Sequence, residues 1–426
     1  MDEQPTPEGM PVPRAGVDRP VELVLGFAHA GHAAGYPTAD LEERLLVLAR
    51  AVGQADAQVS ATPTLVEVSL GSIPEQRSYT IRVRPRPVDL DAIARLDELV
   101  QDIAGGRLGV ERALATVADI RDDPLERPWP LLLAAYGLAG AALTPVLGGG
   151  WREVLAGGLV GLVVGGIALP AQWTVRLEPM VAPVAALAAS FCAAALARLD
   201  VSDAPDLVTL AALVTFLPGM RLTIGMRELA TEHLQSGVAN TASALVQLLG
   251  LVFGVGIGRS IAAAWFGATP EVDPAAAFSA PYIVAALATG LAFTITLRAR
   301  YRDALLMCTA TVLALVANEA GTAIFGRDAA VFVAAVTVGV VGGLVGSRLR
   351  RSPLVFIVPG VLMLVPGSAG FNSALQLLSN QTVSGINAAF DTFVTSMSIA
   401  YGLIISASLF PGHSSAPSRG DDLRPS

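Results

Sequence analysis

Between Leu131 and Phe410 the chain runs repeatedly for about twenty residues without one ionisable side chain. An α-helix of that length crosses a hydrocarbon layer, and it satisfies its own backbone polar groups while doing so. A soluble core would intersperse charge every few residues, so the chain reads as a mainly α membrane protein. The net charge of −8 comes chiefly from the N-terminal third and the tail. Every basic residue is arginine and none is lysine, and they do not gather into a nucleic-acid patch. The two cysteines, Cys192 and Cys308, lie in apolar stretches and read as small buried hydrophobes. No metal or other cofactor is expected.

Ten apolar spans can be counted, beginning near residues 129, 153, 180, 206, 238, 279, 303, 329, 353 and 384. Trp129, Trp151, Trp173 and Trp265 sit at span edges, where an amphipathic indole prefers the interface. Residues 1–20 are rich in proline and acid and lack an apolar centre, so a disordered cytoplasmic tail is expected rather than a cleavable signal. With that end inside, the inner connections carry Arg176, then Arg221 and Arg227, then Arg298, Arg300 and Arg302, then Arg348, Arg350 and Arg351. The outer ones carry only Arg152, Arg198, Arg259 and Arg327, as the positive-inside rule requires. A multi-pass protein of an inner (plasma) membrane is therefore expected, with both termini cytoplasmic.

Residues 21–128 read as a small cytoplasmic α+β domain. Val21, Leu25, Ala28 and His32 recur at helical spacing, and a second amphipathic helix covers Leu41 to Arg50. Alternating runs at 58–62, 65–69 and 79–84, separated by Gly71 and Pro74, predict paired strands. Helices are expected from Asp89 to Ile103 and from Val110 to Ile120, and Asp122 to Pro128 closes the domain.

The apolar part repeats itself. The segment from Phe216 to Gly237 lies without a gap on that from Leu364 to Gly385, matching Pro218 with Pro366, Gly219 with Gly367 and Gly237 with Gly385, at an offset of 148 residues. Trp151 to Leu155 resembles Tyr301 to Leu305 at nearly the same offset. Ten transmembrane helices therefore divide into two five-helix repeats, 129–260 and 279–410, joined by an extracytoplasmic linker at 261–278 and followed by a disordered cytoplasmic tail at 411–426. An odd number of crossings inverts the second copy, an arrangement common in secondary transporters. The charged inner loop holding Arg221, Arg227, Glu228, Glu232 and His233 matches an outer segment, Phe371 to Ser384, without charge.

Proline and glycine at membrane depth free backbone groups, which are tolerated only beside protein or a water-filled cavity. The Pro218-Gly219, Pro359-Gly360 and Pro366-Gly367 pairs are thus candidate helix breaks whose exposed ends hold a substrate's ammonium and carboxylate, with Ser368 beside the last pair. Arg221 follows the first break and could meet a carboxylate, although positive-inside anchoring explains it equally. Asn240, Thr241, Asn372 and Asn387 could bind a substrate hydroxyl or simply glue helices together. Asp391, the one ionisable residue well inside the tenth span, is the candidate proton carrier, because a carboxylate there is costly unless protonated or paired. Glycines 157, 158, 161, 165 and 166, with those from 339 to 346, read as close-packing surfaces rather than a nucleotide loop.

At this point the residues resemble the bacterial threonine/serine exporter family. The resemblance covers about residues 22 to 408. Its motifs are Leu217-Pro-Gly-Met220 in the first half, the doubled Val-Pro-Gly within Ile357 to Ser368 in the second, and Arg227-Glu228-Leu229 followed by Ser236-Gly237. It implies a proton-coupled exporter of L-threonine and L-serine, with these amino acids, protons and the lipid bilayer as partners, and it is compatible with assembly of identical copies. Relatives split into two chains imply efflux of a dicarboxylate such as succinate instead. The family's Gly-Ala-Glu-Thr-x-Arg-Val-Glu motif reads Gly35 to Glu42 here, with Asp40 in place of the arginine. An enzyme is not expected. The rival of that class is a membrane-tethered hydrolase built on His29, His32, Asp40 and Glu42, but the ligand set is incomplete and no H-E-x-x-H is present.

Overall fold

The computed structural model describes residues 18–83, 88–122, 127–171, 174, 177–267, 282–364, 366–378 and 382–410. The tails expected at 1–20 and 411–426 therefore lie almost wholly outside the described residues, as do Trp173, Arg176 and most of the linker expected at 261–278. The chain divides into two compact units.

The first unit contains α1 (Arg19–Ala33), α2 (Thr38–Ala51), β1 (Gln58–Thr62), β2 (Leu65–Leu70), β3 (Arg77–Arg82), most of α3 (Leu90–Ala104) and α4 (Val110–Asp122). The strands form one antiparallel sheet in the order β1-β2-β3, with Thr62 opposite Leu65 and Leu65 opposite Arg82. Alternation sets its buried face: Val66, Val68 and Leu70 of β2 point inward. On α1 the period is as expected but the face is not. Leu23, Val24, Phe27 and Ala28 are buried, whereas Val21 and Leu25 are only half-buried. Phe27 has the most apolar area to bury, and it rotates the helix toward itself.

The second unit takes the start of α3 and the helices from α5 onward. Its first half is α5 (Trp129–Val146), α6 (Trp151–Ala171), α7 (Glu178–Arg198), α8 (Pro205–Ala212), a 3-10 turn at Val214–Phe216, α9 (Gly219–Ala230) and α10 (Leu234–Phe266). The second half is α11 (Tyr282–Thr296), α12 (Ala304–Phe325), α13 (Arg327–Leu349), α14 (Leu354–Leu364), α15 (Pro366–Leu378) and α16 (Thr382–Ser408). Because α10 continues to Phe266, the boundary expected at residue 260 falls inside a helix. Among the described residues seven helices are long and apolar enough to span a membrane, and α8 with the segment Val214–Ala230, bent by 51°, makes an eighth. Helices also form at the two other expected places, but α11 and α14 are shorter. This is a multi-pass membrane protein.

The two halves share local chemistry at fixed offsets. Thr144 donates to the Gly140 carbonyl and Thr294 to that of Gly290, each at 2.8 Å. Gly148 and Arg298, and likewise Asp200 and Arg350, turn the chain with positive φ after matched helices. Glu153 and Asp303 are both buried, and Glu153 accepts from the Ser202 hydroxyl and the Asp203 amide, which ties α6 to the loop before α8. Neighbours match too: α6 packs on α5, α7 and α8 as α12 packs on α11, α13 and α14.

Leu132 and Ala135, near the start of α5, cluster with Ile295 near the end of α11, while Val146 at the end of α5 joins the cluster of Ala286 near the start of α11. These two helices thus run antiparallel. Arg127, just before α5, caps the same end by donating to the Ala299 carbonyl and stacking over the Tyr301 ring. The short helices α9 and α15 each pack on the opposite half. Phe371 of α15 is buried in a core with Leu213, Leu222, Leu248 and Leu251, and Met220 of α9 packs against Val361, Ile399 and Leu403.

Candidate functional site

Pro218 occupies the N-cap of α9 and Gly219 its first position. A proline lacks the amide that would otherwise pair one turn back, so it is tolerated at a helix start and redirects the chain there. Three residues expected in an inner loop, Arg221, Arg227 and Glu228, are instead helical, on α9. The correction has a physical reason. Arg221, Gly225 and Glu228 recur at helical spacing and all meet polar or small positions of α10.

Arg221 donates to the Ser243 hydroxyl at 3.3 Å and to Gln247 Oε1 at 3.1 Å, and Gln247 donates to the Phe216 carbonyl at 2.7 Å. A Cβ on Gly225 would stand 2.5 Å from Thr241 Oγ1 and 3.1 Å from the Gly237 carbonyl, so the helices touch here through backbone. One turn further on, Asn240 Nδ2 donates to Glu228 Oε2 at 2.7 Å, and Glu228 is 0% exposed. The contacts run in opposite directions along the two helices, making α9 and α10 an antiparallel hairpin. The hydroxyls of Thr223 and Thr241 are buried without a hydrogen-bond partner among the described residues.

The second half repeats this hairpin with different chemistry. Ser373 of α15 donates to the Gly385 carbonyl of α16 at 2.9 Å, at positions 148 residues after Gly225 and Gly237. Gly370 lies between Leu248 of α10 and Thr392 of α16, each 3.2 Å from where its Cβ would be. Pro359 and Gly360 do not break the chain, because α14 continues through them and Gly360 is pressed against Val338 of α13. Val365, between α14 and α15, lies outside the described residues. Pro366 and Gly367 open α15, and Ser368 follows; their side chains lie outside the described residues. Asn372, Asn387 and Asp391 are exposed, and so are Phe390 and Phe393 beside Asp391.

The structure therefore brings Pro218, Gly219, Arg221, Asn240 and Thr241 together along α9 and α10, with α15 and α16 packed on α9. It does not bring Asn372, Asn387 or Asp391 into that interior. Sequence reasoning missed Glu228 as a site residue, although its spacing from Arg221 and Gly225 was a legible signal.

In the first unit His32 and Glu42, two of the residues considered for hydrolysis, take part in hydrogen bonds of the fold. His32 Nε2 lies 2.8 Å from the Thr62 carbonyl, and Glu42 accepts the Ala61 amide at 2.6 Å. Tyr36 donates to Asp97 at 2.6 Å, and Arg44 pairs with the same oxygen at 3.0 Å. Burial, then the negative charge of Asp97, pushes the Tyr36 hydroxyl well above its ordinary value. For Arg44 burial pulls downward, but Asp97, Tyr36 and Glu43 together outweigh it and hold the guanidinium charged.

Comparison with known proteins gives two family matches. Residues 22–262 match the family described as "Putative threonine/serine exporter", and residues 279–409 match "Threonine/Serine exporter, ThrE". A "Probable threonine/serine exporter" of Mycobacterium tuberculosis is 26% identical over 90% of this chain and 75% of its own length. A "Threonine/serine exporter" of Corynebacterium glutamicum is 23% identical over 74% of this chain and 66% of its own. "Pheromone-regulated membrane protein 10" of Eremothecium gossypii is 25% identical over 89% of this chain but only 53% of its own length. No solved structure matches.

Proposed function

Because the chain belongs to the threonine/serine exporter family, we propose that it is a secondary transporter that moves L-threonine and L-serine outward across a bacterial inner membrane in exchange for protons. The observation that carries the reading is the packing of α9 on α15, two helices that each begin at a proline-glycine pair, with Met220 and Phe371 each seated against helices of the opposite half. Discontinuous helices at such a contact place free amides toward an anionic group and free carbonyls toward a cationic one. Pro218, Gly219, Arg221, Asn240 and Thr241 contribute from the first half. Pro366, Gly367 and Ser368 contribute from the second, with Asn372 and Asn387 at its rim. A zwitterion with a short hydroxylated side chain suits that set.

Alternating access would arise by rocking one half against the other, with the halves inverted in the membrane. The antiparallel α5 and α11, together with the shared local turns, support that relation. Arg298 and Arg300 pair with Asp89 and Asp91, at the start of α3, which supports a cytoplasmic position for this arginine-rich loop. The test is export of threonine and serine from cells loaded with the corresponding dipeptides, with and without the gene, and of succinate from succinate-loaded cells. Faster loss of threonine and serine is expected. Loss of succinate alone would move the substrate to a short dicarboxylate, and no difference for any of the three would remove the transporter reading.

A further inference from the structure

We propose that Glu228, rather than Asp391, carries the exchanged proton, and that it carries one proton per transport cycle. The assignment rests on the exporter reading. Glu228 is an acid without solvent exposure, on the short helix that follows the first bend, and its Oε2 is held by the neutral amide of Asn240 at 2.7 Å. An amide can serve both protonation states of a carboxyl. It donates to the carboxylate as seen here, and after rotation its own oxygen accepts from the acid. Asp391 faces outward on α16 beside the exposed Phe390 and Phe393, whereas Glu228 is enclosed by protein on α9 and held by the Asn240 amide, which makes Glu228 the acid placed to couple a proton to movement of the helices.

The repeat supplies the count. The residue 148 positions after Glu228 is Gln376, on α15, so the second half carries a neutral isostere where the first carries an acid. Only one half can load a proton at this position. The helix itself is well placed to couple protonation to movement, since α9 packs on α10 of its own half and on α14, α15 and α16 of the other. On these elements the other ionisable residues are few. Arg259 of α10 is paired with Asp206, α16 has the exposed Asp391, and the described α14 and α15 have none; on and beside α9 itself stand Arg221, Arg227, Glu232 and His233. In the cycle Glu228 takes a proton from the outer solution after substrate leaves, and releases it inside before the next substrate is carried out. Threonine and serine cross as net-neutral zwitterions.

The experiment uses the purified full chain in proteoliposomes and two measurements with labelled threonine. Accumulation driven by a gradient of about one pH unit, acid inside, should approach about tenfold for one-for-one exchange. Threonine–threonine counterflow requires no net proton movement. Glu228→Gln should abolish gradient-driven accumulation and keep counterflow, whereas Asp391→Asn should keep both. Gradient-driven accumulation by Glu228→Gln overturns the inference, and so does loss of both activities in a variant that elutes as folded protein. If that variant does not fold, Asn240→Ala decides, because it leaves the acid in place. A shift in the pH of half-maximal driven uptake is expected, and an unchanged profile overturns the inference. Failure of the unsubstituted protein to transport threonine, serine or succinate would instead remove the exporter reading itself.

Discussion

Replacing Gly258 with alanine should loosen α7 from α10, while the same change at Gly256 on the same helix should not. A Cβ on Gly258 would lie 2.0 Å from Ser190 Oγ and 2.4 Å from the Leu187 carbonyl oxygen; on Gly256 it would meet nothing within 4 Å. The serine can rotate away, but the carbonyl belongs to the backbone of α7. The helices must part by about 1 Å to regain an ordinary contact. Parting also stretches the bond that Ser190 donates across the interface to the Val255 carbonyl, 3.2 Å long. Overpacking of this kind costs about 1–3 kcal/mol, and an interhelical hydrogen bond in a membrane is worth about 0.6 kcal/mol. Alanine offsets about 1 kcal/mol of this through its better helix propensity. The net expectation is a loss of about 0.5–2.5 kcal/mol for Gly258→Ala and a gain of up to about 1 kcal/mol for Gly256→Ala. Thermal unfolding of the purified protein in detergent would read these as a fall of a few degrees and a small rise. Shifts of the same sign in both variants, or an unchanged midpoint for Gly258→Ala, would refute the packing argument.

Three further outcomes are expected. In a background of Cys192→Ala and Cys308→Ala, Leu199→Cys and Leu349→Cys stand at matched, exposed positions at the C-terminal ends of α7 and α13, and a membrane-impermeant maleimide should reach them from opposite sides; labelling from one side would reject inversion of the halves. Gly219→Leu and Gly367→Leu should each abolish threonine export at normal expression, and retained export in both would reject the two helix starts as the substrate site. Tyr36 is held neutral by burial and by Asp97, so its raised value favours the protonated fold; that stabilisation is complete below about pH 10 and is lost as pH rises past it. Tyr36→Phe should remove this alkaline limb and cost about 1–3 kcal/mol by leaving Asp97 short of a donor; hydrogen exchange across α2 of the full chain measures both, and unaltered protection would count against the pairing.

The glycines show how far a pattern can be read. Gly157, Gly161 and Gly165 lie against Thr144 and Tyr136 at distances no Cβ could occupy, as close-packing surfaces should, yet Gly166 in the same run meets nothing. Sequence reveals that a helix is rich in small residues, but which of them faces a neighbour depends on helix rotation. The same limit explains Glu228. Within a segment of twelve residues that includes Arg221, Arg227 and Glu228, charge density argued for a solvated loop, because the partners that bury one of those charges lie on α10 and α16.

What the sequence determined by itself was everything set by local chemistry. It placed helices where apolar spans were counted, the three strands and a helix start at Pro218-Gly219, since helix length, alternation and proline geometry act over a few residues. Tertiary structure alone decided which acid is buried, that Pro359-Gly360 stays inside α14, and that α9 and α15 each seat a side chain in the opposite half. Those outcomes depend on contacts between residues more than a hundred positions apart, and a hydropathy pattern has no term for them.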